Sequence, residues 1–102
     1  MNMPNKILVR SLELIESGWT QGTYARDAVG IPVPSVSPEA CSWCSAGAQF
    51  KAIWELSPGP GEATKAEVAL LVAMGVYDTA YNDTHTKAEV VAAFKAAIEA
   101  TK

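Results

Sequence analysis

The chain has 102 residues, of which 49% are hydrophobic and 19% are charged, and its formal net charge is -3 at pH 7. This balance fits a folded domain with one core and argues against a disordered chain, which needs few apolar and many charged residues. The acidic charge provides no basic surface for phosphate groups, so nucleic acid is not expected as a partner. The N-terminal apolar run from Ile7 to Val9 is too short for a signal peptide or a membrane span, and we expect a cytosolic protein without membrane contact.

Residues 4–17 form the first predicted helix, because their apolar side chains fall on one helical stripe and Gly18 follows as a stop. Residues 19–36 lose this periodicity, and glycines and prolines interrupt them. We expect an irregular loop here, or a short β-hairpin that turns near Asp27 to Gly30.

Three further helices are predicted, at about residues 37–56, 64–81 and 86–101. The second begins where Ser37 is followed by proline and glutamate, which is typical of a helix start. The third and fourth begin at two copies of Thr-Lys-Ala-Glu-Val, at residues 64–68 and 86–90, each with the threonine and glutamate of a capping box. Apolar residues on two faces of the third predict a central helix that is buried on both sides. The sequence thus predicts a mainly α, four-helix single domain over residues 1–102, with an irregular or hairpin-like insertion between the first two helices.

Cys41 and Cys44 have the Cys-x-x-Cys spacing of a redox pair or half of a zinc site. A redox pair usually lies in the first turn of a helix, where the dipole lowers the thiol pKa, whereas a helix that begins at Ser37 places both thiols later. Structural zinc takes four ligands, and His85 is the one histidine of the chain, so a carboxylate would have to complete the set. We therefore expect two free thiols in the core, with no metal and no other cofactor.

The densest polar cluster, residues 81–86, contains this histidine. Its Asn, Asp and Thr side chains are those that a tight connection before a helix requires, so structural roles are the favoured interpretation. A catalytic alternative stays open: Cys44 would be the nucleophile of a hydrolase or transferase, His85 its base, and Asp83 or Asn82 the group that orients the base.

A ligand-binding alternative also stays open, in which residues 19–36 and 81–86 flank one groove. Arg26, Asn82 and Asp83 would there bind a small polar ligand, since irregular segments often carry recognition.

No complete catalytic motif is present, which favours a non-enzymatic binding or accessory module over an enzyme. Aromatic side chains would provide the apolar surface for a protein partner or for a symmetric homodimer. These side chains are Trp43, Phe50, Trp54, Tyr77 and Tyr81.

Five short motifs follow one another along nearly the whole chain. They are Gly18-Trp19-Thr20-Gln21-Gly22, Ala25-Arg26-Asp27, Trp43-Cys44-x-x-Gly47-Ala48, Asn82-Asp83 and Ala88-Glu89-Val90. With these motifs the chain resembles an uncharacterised domain family found in bacteria and their phages. Members of that family place a Thr-His pair directly before Ala-Glu-Val, whereas Thr86-Lys87 stands there in this chain, which weakens a catalytic role for His85. The resemblance implies no established activity, and its phage members suggest a host-interaction or defence-related role.

Overall fold

The computed structural model describes residues 2–102, and in that range it contains five α-helices and one two-stranded antiparallel sheet. The helices are α1 (Met3–Ser17), α2 (Ser45–Leu56), α3 (Pro60–Met74), α4 (Asp78–Thr84) and α5 (Lys87–Ala100), and the strands are β1 (Ala25–Arg26) and β2 (Ser42–Trp43). The predicted mainly α class is confirmed, whereas the predicted count of four helices is wrong. None of the helices within residues 2–102 has the length and apolar character that crossing a bilayer requires.

Helix α1 lies at the centre of the fold and packs against α2, α3 and α5. It confirms the first predicted helix, and it buries Ile7, Leu8 and Ile15 completely. Removing each of these side chains from water stabilises the fold by about 1.5–3 kcal/mol. Phe94 of α5, which is also fully buried, belongs to the same core.

The third predicted helix, residues 64–81, differs from the structure in its start, its end and its burial. Helix α3 begins at Pro60, whose fixed φ suits the first turn of a helix, so Thr64 lies inside the helix. It ends before Gly75, which has a φ of 79° that favours glycine, and a separate helix α4 follows.

Helix α3 is also not the central helix that its two apolar faces predict. Its Ala66, Leu70 and Met74 are buried, whereas Val72 on another face is 76% exposed. The sequence shows how apolar a face is, but the neighbours that cover it are set by the tertiary fold. The fourth predicted helix, residues 86–101, is confirmed by α5, and Thr86 and Glu89 form its capping box.

The second predicted helix, residues 37–56, is wrong in its first part. The Ser37 hydroxyl accepts a hydrogen bond from the Glu39 amide at 3.2 Å, but this cap supports only a turn. The Trp43 amide instead donates to the Gly18 carbonyl at 2.9 Å, and the Trp43 carbonyl accepts from the Thr20 amide at 3.1 Å. These tertiary hydrogen bonds hold Trp43 in an extended conformation, so the helix begins only at Ser45.

The hairpin-like turn near Asp27 to Gly30 is confirmed, since the Asp27 amide donates to the Ile31 carbonyl at 2.9 Å. The regular partner of β1 is nevertheless β2, in which Trp43 is opposite Ala25. Trp43 is therefore 5% exposed, and its Nε1 donates to the Ser35 carbonyl at 3.0 Å. The expectation that Trp43 offers an apolar surface to a partner is therefore wrong.

Candidate functional site

Asn82 is the centre of the predicted polar cluster, and it lies on helix α4 rather than in a loop. It is completely buried. Its Oδ1 accepts hydrogen bonds from Trp19 Nε1 at 2.8 Å, from the Ser45 amide at 3.0 Å and from the Ser45 hydroxyl at 3.0 Å. Its Nδ2 donates to the Thr20 carbonyl at 3.0 Å and to Asp83 Oδ1 at 3.3 Å. With every position of its amide in use, Asn82 joins α4 to the start of α2 and to the segment after α1.

Arg26 and Asp83 do not meet across a groove. The Arg26 guanidinium donates to Thr20 Oγ1 at 2.8 Å, to the Gly30 carbonyl at 3.0 Å and to the Gln21 carbonyl at 3.1 Å. Its donors therefore hold the irregular segment in shape. Asp83 Oδ1 accepts from the Gly22 amide at 3.0 Å. This hydrogen bond joins the two segments that were predicted to flank the groove, residues 19–36 and 81–86. This geometry gives Arg26 and Asn82 structural roles and leaves only Asp83 beside a cavity.

His85 is bound to its own helix. Its Nδ1 lies 2.9 Å from the Tyr81 carbonyl and 3.0 Å from Thr84 Oγ1. Its ring is stacked on Tyr81, with centroids 3.7 Å apart. Among residues 2–102, neither Cys44 nor Asp83 forms a hydrogen bond with the His85 ring, so the structure does not join these residues into a nucleophile, base and orienting acid.

Cys44 is the N-cap of α2, and its Sγ accepts from the Gly47 amide at 3.4 Å. The sequence predicted that Cys44 lies beyond the first turn of its helix. This prediction is wrong, because Cys44 lies at the start of α2. Burial raises the pKa of the Cys44 thiol, and the carboxylates of Asp78 and Asp83 raise it further, against a smaller opposing effect of the helix amides. A reactive thiol needs the opposite surroundings. Both cysteines are free thiols. Cys41 is exposed, however, so the prediction that it lies in the core is wrong.

Two neighbouring cavities lie beside α4, one between α2 and α3 and the other between the irregular segment at residues 22–24 and Cys44. We call the first, of about 370 Å³, the α2–α3 cavity, and the second, of about 340 Å³, the Cys44 cavity. Tyr24 and Thr79 line both, so the two cavities are adjacent. The Cys44 cavity takes its name from the thiol that lines it, and Asp83 lies on its wall.

The α2–α3 cavity is surrounded by exposed apolar side chains. They are Tyr24, Phe50, Val68, Leu71 and Tyr77. Tyr24 and Phe50 pack edge to face with ring centroids 5.3 Å apart, and Tyr77 is 77% exposed. Trp54, one turn beyond Phe50 on α2, is 61% exposed. Five aromatic residues were predicted to form an interaction surface, and three of them are exposed: Phe50, Trp54 and Tyr77. Tyr81 is instead half-buried under the imidazole ring of His85.

Gln49 lines the same cavity and is 2% exposed. Its Nε2 donates to Asp78 Oδ2 at 2.7 Å and to the Ser45 carbonyl at 3.2 Å. Both neighbours are acceptors, so the amide orientation is fixed and Oε1 points away from them. Within residues 2–102, Oε1 is the one buried side-chain polar atom without a hydrogen-bond partner. A buried acceptor left unpaired costs about 1–3 kcal/mol, so this atom is a candidate for contact with a ligand.

Gln49 and Asp78 of this cavity were not identified from the sequence. Gln49 lies among small and apolar residues of α2, and nothing in its neighbours marks it as different from a surface glutamine. Asp78 is typical of a residue at the start of a helix, and it is the first residue of α4. Its Oδ1 accepts from the Thr79 amide at 2.8 Å. The structure also brings no group of three or more His, Cys, Asp or Glu residues of the range 2–102 into a metal-binding arrangement.

Comparison with known proteins gives one match. No curated protein and no solved structure matches the chain significantly. A family model described as a family of unknown function, DUF6197, matches residues 2–100. This match covers nearly the whole chain and agrees with the resemblance to an uncharacterised domain family. The chain therefore belongs to the DUF6197 family of unknown function.

Proposed function

We propose that the chain is a non-enzymatic binding module that docks a segment of another protein on the α2–α3 cavity. The observation that carries the proposal is the convergence of exposed apolar side chains on a cavity lined by Gln49, a buried residue whose Oε1 has no hydrogen-bond partner. Clustered apolar surface beside a few directed polar groups is typical of recognition sites.

The shape of the cavity favours a protein segment over a small molecule. Sites for small molecules usually enclose most of the ligand surface, whereas the α2–α3 cavity is open to solvent on one side. The Cys44 cavity lies next to it, on the other side of Tyr24 and Thr79. Two successive open cavities suit successive side chains of one extended chain, which remains attached to a larger partner.

A catalytic role for Cys44 receives little support from the site. The raised pKa keeps the thiol protonated at neutral pH, and His85 is held by Tyr81 and Thr84. The proposal therefore assigns no chemical step to this chain. The proposed function also includes two predictions from the sequence, a cytosolic location and a phage-related or host-interaction role. A symmetric homodimer, which was predicted as well, would use the same apolar face and is the competing alternative.

A selection from a random peptide library tests the proposal. Peptides that bind the folded protein are synthesised with a fluorescent label, and their affinities are measured by anisotropy. Leu71→Ser, which changes a residue lining the cavity, should weaken binding about tenfold, because burying a leucine is worth about 1.5–3 kcal/mol. The neighbouring Val72→Ser changes an exposed residue outside the cavity and should leave affinity unchanged.

Three results would refute the proposal. One is a selection that yields no binding peptide, and a second is an equal loss of affinity in both variants. The third is sedimentation of the wild-type chain as a dimer that Leu71→Ser dissociates, because the α2–α3 cavity would then be the contact between two copies.

A further inference from the structure

The two adjacent cavities carry charge of one sign. Glu67 and Asp78 line the α2–α3 cavity, and Asp83 lines the Cys44 cavity. No lysine, arginine or histidine of residues 2–102 lines either one. The acidic side chains therefore face the cavities without a basic partner there, and a cationic ligand would meet complementary charge along the whole surface.

The carboxylates of the α2–α3 cavity and the unpaired oxygen of Gln49 accept hydrogen bonds, whereas the hydroxyls of Tyr24, Tyr77 and Thr79 can both accept and donate. Gln49 Nε2 is held between Ser45 and Asp78, and Gln49 Oε1 has no donor. Each oxygen of the Asp78 carboxylate accepts one described hydrogen bond, which leaves lone pairs for another donor. An amide carbonyl beside a carboxylate is matched by a group that carries several N–H donors and a positive charge.

The apolar surround favours a cation on a hydrocarbon stem. The Tyr24 and Phe50 rings lie at the cavity, and a ring face attracts an ammonium or guanidinium group within about 6 Å. Leu71 lines the same cavity and would pack against methylene groups. Lysine and arginine side chains combine an apolar stem with a charged head in this way.

We propose that the docked segment carries a lysine or arginine side chain whose cationic head lies in the α2–α3 cavity. The head pairs with the carboxylates of Asp78 and Glu67 beside Gln49, and the stem packs against Leu71. This inference rests on the proposed function, because it names the chemistry of the segment that the module docks.

The test uses blocked tripeptides and two-dimensional NMR of the ¹⁵N-labelled full chain. Acetyl-Leu-Lys-Leu-amide is compared with the same peptide in which norleucine replaces lysine, which keeps the stem and removes the charge. The lysine peptide should shift the side-chain amide resonances of Gln49 saturably, with an affinity several times higher than that of the norleucine peptide. Glu67→Gln should weaken the lysine peptide about threefold at low salt and leave the norleucine peptide unchanged. Glu62→Gln, on the same helix but outside the cavity, is the control.

Equal affinity of the two tripeptides, or no shift with either, would overturn this inference while the peptide selection still decides the proposed function. Binding of n-butylammonium as tight as that of the lysine peptide would assign the cavity to a small amine and overturn it as well. The same resonances shifting with protein concentration alone would identify a second copy of the chain as the occupant.

Discussion

Replacing Asn82 by aspartate changes one group at the most connected point of the fold. Asn82→Asp keeps an oxygen for the donors of Trp19 and Ser45, but it replaces Nδ2 with a second oxygen. That oxygen would face the Thr20 carbonyl and the Asp83 carboxylate, which now accept from Nδ2 at 3.0 and 3.3 Å. The N–H groups that now donate to these two acceptors would be replaced by an oxygen that repels both of them in a buried site.

The loss of stability is estimated from those two contacts. An unpaired buried carbonyl costs about 1–3 kcal/mol, and a carboxylate beside Asp83 adds like-charge repulsion, partly offset by the three remaining donors. We expect a loss of about 2–4 kcal/mol at pH 7. Since domains of this size are stable by about 5–15 kcal/mol, the loss is large but leaves the variant folded at 25 °C.

The stability that Asn82→Asp loses should decrease as the pH falls. Burial and Asp83 raise the pKa of the new carboxyl in the folded state above its unfolded value of about 3.9. A group with a raised folded pKa contributes stability that is present below the unfolded pKa and is lost as pH rises through the folded pKa. The protonated acid can also donate to the Thr20 carbonyl, as the amide does. The gap between Asn82→Asp and the wild type should therefore narrow as pH falls from 7 towards 4.

Urea unfolding followed by circular dichroism at several pH values measures this effect. Asn2→Asp is the matched control, because it also replaces an Nδ2 donor, here to the Thr101 carbonyl at 2.6 Å, but at an exposed N-cap. Water can solvate the new carboxylate and that carbonyl, and aspartate caps the helix equally well. The control should stay within about 0.5 kcal/mol of the wild type at pH 7. A loss below about 1 kcal/mol for Asn82→Asp, or a loss that does not change with pH, would show that Asn82 is not the buried junction described above.

Two further predictions concern the thiols and the closest backbone contact. Iodoacetamide at pH 7 should label exposed Cys41 and spare buried Cys44 in the folded chain, as read by peptide mass spectrometry, and equal labelling would contradict the buried position of Cys44. Gly47→Ala should destabilise the fold by about 3 kcal/mol in urea unfolding, because an added Cβ would overlap the Tyr24 carbonyl oxygen. Gly61→Ala, with open space around it in α3, should be neutral or slightly stabilising, and an equal loss in both variants would refute the contact.

Local patterns in the sequence were sufficient for the elements whose ends depend on near neighbours. The capping box of α5 joins Thr86 to Glu89, three residues apart, and the apolar stripe of α1 ends at Gly18. Both helices were predicted correctly. The polar cluster around Asn82 was also singled out, but as a tight connection with local hydrogen bonds. Asn82 instead lies on α4 and bonds to Trp19, Ser45 and Thr20, which are distant in sequence.

Tertiary structure decided the features that depend on distant residues. Ser37 carries a helix-start pattern, yet the hydrogen bonds of Trp43 to Gly18 and Thr20 hold the chain extended until α2 begins. The α2–α3 cavity likewise combines Tyr24, which precedes β1, with residues of α2, α3 and α4. Asp78 and Ser45 fix the amide orientation of Gln49 by accepting from its Nε2, and no donor meets its Oε1. Sequence periodicity reports the character of one element, whereas pairing partners and unpaired atoms arise only when separate elements meet.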